Sequence, residues 1–283
     1  MTMQAQMQAG STRFILNGAY YSMAHVAWGD PAAEPVLCVH GLSRNGRDFD
    51  AIAASLAERY YVICPDMPGR GKSDWLPQPA LYNPVSYLQA ISHLLAAIGR
   101  PVHWIGTSMG GIIGMLAAAT PGNPIRKMVL NDLGPFIPAA SLGRIGAYLG
   151  KNMEFADLAA LEAHVRVIHA PFGKLTDAQW RHFAEISSRA LPDGRVAMHF
   201  DPAIAEAFRG PAPPDADMWA LWEQIHLPVL ALRGVDSDLL LPETLERMRQ
   251  SGAMVHTVPD CGHAPALLDA PTIKVVRDFL DAA

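Results

Sequence analysis

The sequence predicts an α/β fold in which helices cover both faces of a mostly parallel central sheet. Three observations predict this fold. Short apolar segments bounded by turn residues, such as "PVLCVHG" (35–41), are typical of buried strands. Segments with apolar residues three and four positions apart follow most of these strands and indicate helices. Of the 283 residues, 50% are hydrophobic and 17% are charged, which is enough apolar material for a large buried core.

The elements of residues 12–135 follow from this pattern in chain order. Two strand-like segments at 12–30 flank Asn17 and Gly18, which predicts an antiparallel hairpin at the edge of the sheet. Strands and helices then alternate. We expect strands within 35–41, 61–69, 101–106 and 126–135, and helices within 43–60, 83–100 and 109–120.

The alternation stops after residue 135. From Phe136 to about His226 the sequence is helical and rich in turn residues, and Thr176 and Gln179 fit a capping box. We expect a helical cap inserted at 136–226, with helices near 156–170, 176–191, 201–208 and 217–225. Strands at 228–234 and 253–260 and helices at 242–250 and 272–280 complete a core formed by 1–135 and 227–283.

Composition and charge argue against several classes of partner. The net charge is −5 and no long basic run occurs, so we expect no nucleic acid and no membrane partner. The start of the chain lacks the pattern of a secretory signal, and the three cysteines Cys38, Cys64 and Cys261 are too few for a disulfide framework. We therefore expect a cytoplasmic monomer or homodimer. No metal-binding spacing occurs, and we expect no metal and no cofactor.

The segment "VHWIGTSMGG" (102–111) contains the strongest functional signal. Gly106 and Gly110 flank Ser108 in a G-x-S-x-G pattern, between a predicted strand and a predicted helix. Such a turn exposes the serine at the carboxyl end of the sheet and at a helix N-terminus, where partial positive charge favours an anion. We expect Ser108 to be a nucleophile.

A serine nucleophile needs a base and a carboxylate that orients the base. His263 follows the last predicted strand and is the best base. His164, His169, His182 and His199 fall in the inserted region and could at most touch substrate. Asp238, in the loop after the strand at 228–234, is the preferred acid, Asp236 is an alternative, and Asp132 is a third candidate.

The oxyanion of a tetrahedral intermediate needs two N–H donors. We expect the backbone N–H groups of Met109 and Leu42 in this role, and Ser43 could assist. The cap would shape an apolar pocket. The residues expected to contact substrate are His40, Phe136, Met218, Trp219 and Trp222.

Together these motifs resemble the α/β-hydrolase superfamily, in its capped branch with a serine nucleophile. The matching pieces are "HGLS" (40–43), "PDMPGRGKSD" (65–74), "GTSMGG" (106–111), "RGVDSD" (233–238) and "GHAP" (262–265). The resemblance covers nearly the whole chain from about residue 13. It implies a cofactor-independent hydrolase with the chain order Ser108, Asp238, His263. Members that use an aspartate at the elbow are excluded by Ser108.

The resemblance implies a serine hydrolase that cleaves small carboxylic esters or lactones through an acyl-enzyme. The alternatives on the same fold are carbon–carbon bond hydrolysis, thioester hydrolysis and cofactor-free perhydrolysis. Carbon–carbon hydrolysis ranks lower, because its members usually carry a different oxyanion loop from "HGLSRNG" (40–46). An alternative from another class is a hydrolase-like receptor that binds a small ligand without turnover.

Overall fold

A computed structural model describes residues 6–151, 153–209 and 213–282. Eight strands form its main sheet. They are β1 (Gln8–Leu16), β2 (Ala19–Trp28), β3 (Glu34–Val39), β4 (Tyr60–Pro65), β5 (Val102–Thr107), β6 (Ile125–Asn131), β7 (Val229–Gly234) and β8 (Met254–Val258). Their spatial order is β1-β2-β4-β3-β5-β6-β7-β8. The β1–β2 and β2–β4 pairs are antiparallel and the other pairs are parallel, which confirms the predicted α/β fold.

Helices surround this sheet. Those of the described residues are α1 (Asp50–Leu56), α2 (Pro84–Ile98), α3 (Met109–Ala119), α4 (Ala139–Tyr148), α5 (Leu158–Ile168), α6 (Asp177–Ser187), α7 (Trp219–Trp222), α8 (Pro242–Gln250) and α9 (Ala270–Asp281). No helix in the described ranges has the length and apolar character that a membrane crossing requires.

Central strands such as β3 and β4 are apolar on both faces because each face is covered. In β3, Val36 and Cys38 belong to the buried cluster that α1 and α9 complete, whereas Leu37 and Val39 belong to the cluster on the side of α2, α3 and α8. This alternation follows from the two-residue period of a strand. It explains why "VLCV" is a continuous apolar run rather than an alternating one.

The predicted hairpin is present at the edge of the sheet. Leu16 pairs with Ala19, and the two residues between them, Asn17 and Gly18, have φ angles of 48° and 78°. Positive φ at both central positions is the geometry that favours asparagine followed by glycine in a tight hairpin.

The chain between β6 and β7 contains α4–α7, 3₁₀ turns and short strands. A three-stranded sheet is formed by Glu154–Phe155, Ser188–Ala190 and Val196–Met198, and Phe136–Ile137 pairs with Ala216–Asp217. The capping box of Thr176 and Gln179 is present at the start of α6. That residues 136–226 act as one cap remains a prediction.

The structure differs from the predicted helices in this region at three places. The segment Pro202–Phe208 is a 3₁₀ helix, and α7 has only 4 residues, since Asp217 before it is held in a short strand. The helix α4 was not predicted. Gly143 and Gly146 weaken its local preference for a helix, so it depends on packing against the rest of the molecule.

Candidate active site

Ser108 occupies a strained turn between β5 and α3. Its φ and ψ angles are 50° and −113°, and its N–H donates to the carbonyl of Asn131 at 3.1 Å. A side chain other than glycine rarely adopts this conformation. The flanking glycines allow it, since a Cβ on Gly110 would lie 1.9 Å from the Val39 carbonyl oxygen and one on Gly106 would lie 2.5 Å from the Gly110 oxygen.

A chain of short hydrogen bonds joins Ser108 to His263 and Asp132. The Ser108 Oγ lies 3.0 Å from Nε2 of His263, and Nδ1 of that ring lies 2.6 Å from Oδ2 of Asp132. With the proton on Nδ1, His263 donates to the carboxylate and Nε2 accepts from the Ser108 hydroxyl. Asp132 is completely buried, and the His263 side chain is 11% exposed. The arrangement can deprotonate a serine hydroxyl.

Two further donors fix the Asp132 carboxylate. The N–H of Gly234, at the end of β7, donates to Oδ1 at 2.9 Å, and the Ser237 hydroxyl donates to Oδ2 at 2.6 Å. The carboxylate therefore has hydrogen-bond partners on both oxygens in a site without exposure to water, which a buried charge requires.

The expected acid Asp238 is not placed beside His263, and this expectation is corrected. Asp238 is exposed and accepts two hydrogen bonds from Arg144, at 2.6 Å from Nε and 2.8 Å from Nη2. The alternative, Asp236, is also exposed, and its N–H donates to the Cys261 carbonyl. The third candidate, Asp132, is the carboxylate that contacts the imidazole.

The loop after β7 explains the difference. Its turn is organised by Arg233, which is 7% exposed and whose guanidinium donates to the carbonyl oxygens of Leu240, Val235 and Ser237. This turn directs Ser237 inward to Asp132 and leaves the residues on either side of it in solvent. The motif "RGVDSD" thus supplies hydrogen-bond donors to Asp132 instead of the carboxylate that contacts His263.

The two expected oxyanion donors lie beside Ser108. Met109 follows Ser108 at the first position of α3. Gly41, the residue before Leu42, is packed near the serine, since a Cβ on Gly41 would lie 3.8 Å from the Ser108 Cβ. Neither the Leu42 N–H nor the Met109 N–H has an acceptor within the described residues. The buried Arg70 holds this loop, since its Nε donates to the Leu42 carbonyl at 2.8 Å.

His40 does not reach the substrate cavity, contrary to expectation. It is completely buried, its Nε2 accepts from the Met67 N–H at 2.8 Å, and its Nδ1 donates to the Gly41 carbonyl at 2.7 Å. Burial lowers the pKa of His40 to about 3. His40 is thus a neutral residue that joins the oxyanion loop to the loop after β4.

A cavity of about 60 Å³ opens onto Ser108. It has room for a few water molecules. Its wall on the sheet side includes Gly41, Leu42, Ser43, Asn131 and His263. Its opposite wall comes largely from the chain between β6 and β7, through Arg144, Ile145, Tyr148, Ile168, His169 and Phe172. Arg44, Asp48 and Phe183 close one side.

The apolar residues expected to contact substrate lie outside this cavity. Trp222 is buried and donates to the Ser251 hydroxyl at 2.9 Å, and the Arg247 guanidinium lies 3.7 Å from the Trp219 ring centre. Phe136 and Met218 lie where the first residues of the insertion meet its last residues. These four residues therefore pack the base of the inserted segment instead of lining the site.

The sequence missed the polar residues of α4 that line the cavity, Arg144 and Tyr148. No motif surrounds them, and α4 itself was not predicted. His169 was named as a residue that could at most touch substrate, and it lines the cavity at 4% exposure, stacked on Phe172. Burial, followed by the nearby Arg44 charge, lowers its pKa well below the usual 6.5. Its Nε2 has no hydrogen-bond partner in the described ranges.

The described residues contain no group of three or more histidine, cysteine, aspartate or glutamate side chains that could hold a metal ion. An eight-stranded mostly parallel sheet carries a strained serine, a carboxylate and a histidine at the carboxyl ends of β5, β6 and β8, in that order, which is the arrangement typical of α/β hydrolases.

Comparison with known proteins supports this class. Residues 36–277 match the model of the alpha/beta hydrolase family, and the chain belongs to that family. It is 40% identical, over an alignment of 293 positions, to a 3-hydroxybutyrate-oligomer hydrolase of Cupriavidus necator, and the alignment covers 99% of this chain and 100% of the relative. The chain is a hydrolase, and its relatives include esterases.

Solved structures agree along the full length. An alpha/beta hydrolase from Novosphingobium aromaticivorans superposes with a TM-score of 0.86 at 34% identity, covering 99% of both chains. A Rickettsia typhi protein superposes with a TM-score of 0.88 at 31% identity, covering 97% of this chain and 98% of the other. The resemblance to the superfamily is therefore confirmed.

Proposed function

We propose that the protein hydrolyses small carboxylic esters through a triad of Ser108, His263 and Asp132 and a covalent acyl-enzyme. The observation that carries the proposal is the unbroken hydrogen-bond chain of 3.0 Å and 2.6 Å from the serine hydroxyl to a buried carboxylate. Two backbone N–H groups beside the same serine, which have no acceptor in the described part of the chain, support it.

In the first half-reaction the Ser108 oxygen attacks the ester carbonyl carbon while Nε2 of His263 takes the hydroxyl proton. The carbonyl oxygen becomes an oxyanion, to which the N–H groups of Leu42 and Met109 donate. Each such donor stabilises the transition state by about 3 kcal/mol. The carbon–oxygen bond of the ester then breaks, and the alcohol leaves with the proton from Nε2.

In the second half-reaction a water molecule attacks the acyl-enzyme. Nε2 accepts a proton from this water and returns it to the Ser108 oxygen as the acid leaves. Throughout, the Asp132 carboxylate holds the proton on Nδ1 and stabilises the imidazolium that forms twice in each cycle. The Ser237 hydroxyl and the Gly234 N–H keep that carboxylate in place.

The substrate class we propose is esters of short hydroxy acids, with 3-hydroxybutyrate oligomers as the first candidates. Two observations support this choice. The relative that is 40% identical over its whole length is named for the hydrolysis of such oligomers. The cavity at Ser108 is lined by polar side chains, among them Arg144 and Tyr148, which suits a short hydroxy-acid ester better than a long fatty chain.

Replacement of the nucleophile tests the function directly. We expect a fluorophosphonate probe to add one adduct to the wild-type protein, located at Ser108 by peptide mapping, and the dimer of 3-hydroxybutyrate to be cleaved to monomer. Ser108→Ala should remove the adduct and lower kcat by about 10⁴-fold or more, because triad members act as a unit. Ser92→Ala, at an exposed serine of α2, is the control. An adduct elsewhere, or hydrolysis that survives Ser108→Ala, contradicts the proposal.

A further inference from the structure

Two arginines line the cavity, and they are held in different ways. Arg44 is 4% exposed, and its guanidinium donates to Asp48 from Nε at 2.8 Å and from Nη2 at 2.6 Å. Its Nη1 donates to the Ser187 hydroxyl at 2.6 Å, and its plane lies 4.9 Å from the Phe183 ring centre. Every nitrogen of Arg44 is therefore engaged, and its counter-ion Asp48 lines the same cavity. Arg44 and Asp48 together carry no net charge toward a substrate.

Arg144 has a weaker partner. Its side chain is 37% exposed, and the side chain of Asp238, which it binds in a bidentate pair, is 49% exposed. An ion pair so open to water contributes little net stability, because water solvates both partners when they separate. Asp238 does not line the cavity, whereas Arg144 does. The guanidinium can therefore exchange one carboxylate for another at low cost.

The position of Arg144 on α4 directs it to the same space as the nucleophile. Tyr148, one helical turn later, and Ile145 line the cavity with it, and Ser108 and His263 line the same cavity. A carboxylate entering this space finds a planar guanidinium that can bind both of its oxygens and a phenol on the same wall. Both arginines belong to the described wall of the cavity. The counter-ion of Arg44, Asp48, also lines the cavity, whereas the counter-ion of Arg144, Asp238, lies outside it.

We propose that Arg144 leaves Asp238 and binds a carboxylate of the substrate, so that the preferred substrate is an ester with a free carboxylate near the scissile bond. This inference rests on the proposed ester hydrolysis. In a 3-acyloxybutyrate the carboxylate belongs to the leaving group and is four bonds from the ester carbonyl carbon. Arg144 would then hold the leaving group, and oligomers would be shortened from their carboxyl end.

The test compares two esters of matched shape, 3-acetoxybutyrate and the neutral 3-acetoxybutanamide. We expect the wild-type enzyme to prefer the anionic ester through a lower KM. Arg144→Gln should lower the anionic-to-neutral ratio of kcat/KM by about tenfold or more, mainly through KM, since a charged hydrogen-bond pair is lost. Arg144→Lys, which keeps the charge but loses the bidentate geometry, should retain part of the preference.

Asp238→Asn is the matched control. It breaks the same ion pair from the other side and leaves Arg144 without its competing carboxylate. We expect the KM for the anionic ester to fall by about two- to fivefold, with the neutral ester unaffected. A purely structural ion pair between α4 and the loop after β7 predicts instead that Arg144→Gln and Asp238→Asn affect both esters alike.

The outcomes separate this inference from the proposed function. If the wild-type enzyme cleaves both esters without preference, or if Arg144→Gln leaves the ratio unchanged, carboxylate binding by Arg144 is wrong while ester hydrolysis stands. If the wild-type enzyme cleaves neither ester nor any 3-hydroxybutyrate oligomer, both proposals fall. Opposite changes in KM for Arg144→Gln and Asp238→Asn support the inference.

Discussion

Asp132, and not the Asp238 that the sequence favoured, is the carboxylate that contacts His263 in the structure. Asp132→Asn keeps the shape of the side chain but offers an amide where Nδ1–H of His263 needs an acceptor. The imidazole would then favour the tautomer with its proton on Nε2, which cannot accept from Ser108. We expect kcat for a simple acetate ester to fall by about 10³- to 10⁴-fold. Steady-state kinetics at neutral pH, with thermal unfolding to verify the fold, measure this.

Asp238→Asn supplies the comparison for Asp132→Asn on the same neutral ester. Asp238 is exposed and pairs with Arg144, so its replacement should change kcat by less than about threefold. The reverse result, in which Asp238→Asn inactivates the enzyme and Asp132→Asn does not, would return the role of the acid to the loop after β7.

The residues whose place in the candidate site could be predicted are those whose local sequence determines that place. Ser108 lies in a pentapeptide whose glycines are required by the backbone contacts of that same turn, and His263 follows a glycine just after a predicted strand. The carboxylate that contacts His263 could not be chosen in this way. Asp132 and Asp238 both follow strands of the sheet, and the choice depends on how Arg233 turns a distant loop. The carboxylate contact spans 131 positions of sequence.

At the scale of elements, the site depends on how closely α3 approaches β3 and β5. The Trp104 ring nitrogen of β5 donates to the Gly110 carbonyl at 3.1 Å, and the space at Gly110 toward the Val39 carbonyl is closed. Since interiors are close-packed, a methyl group cannot enter without moving backbone.

Gly110→Ala should therefore shift α3 away from β3. We expect a loss of unfolding free energy of about 3 kcal/mol and a loss of activity, because α3 carries the Met109 N–H. Gly143→Ala is the matched control. It lies in α4, where a Cβ added to the glycine would meet open space, and we expect a gain of about 0.5–1 kcal/mol from higher helix propensity. Urea unfolding of both variants measures the difference. Equal effects would show that the contact at Gly110 does not limit packing.

The elements that the sequence predicted correctly have a clear periodicity of apolar residues or a recognisable helix cap. The alternating core strands and the capping box of α6 belong to this group. The helix α4 has neither feature, since it contains two glycines and packs against residues that are distant in sequence. Its side chains Arg144 and Tyr148 line the cavity. The least predictable element thus carries the residues proposed to select the substrate.

At the scale of the whole molecule, stability should depend on pH through buried neutral histidines. Burial depresses the folded-state pKa of His40 to about 3 and lowers that of His169 well below its unfolded value of 6.5. For a base, a depressed folded-state pKa means that the unfolded chain binds protons first. The stability from each neutral histidine is complete above about pH 6.5 and is lost as the pH falls toward the folded-state pKa.

His40→Gln isolates this effect. The glutamine amide can replace both hydrogen bonds, accepting from the Met67 N–H and donating to the Gly41 carbonyl, but it cannot be protonated in this range. We expect the wild-type free energy of unfolding to fall between about pH 6 and pH 4 more steeply than that of the variant, by about 1.4 kcal/mol per pH unit. The other buried histidines affect both proteins equally, so the difference belongs to His40. Urea unfolding at intervals between about pH 7.5 and pH 4.5 measures it. Parallel curves would mean that His40 is already charged in the folded protein, and that the oxyanion loop is held by a cation instead of a neutral ring.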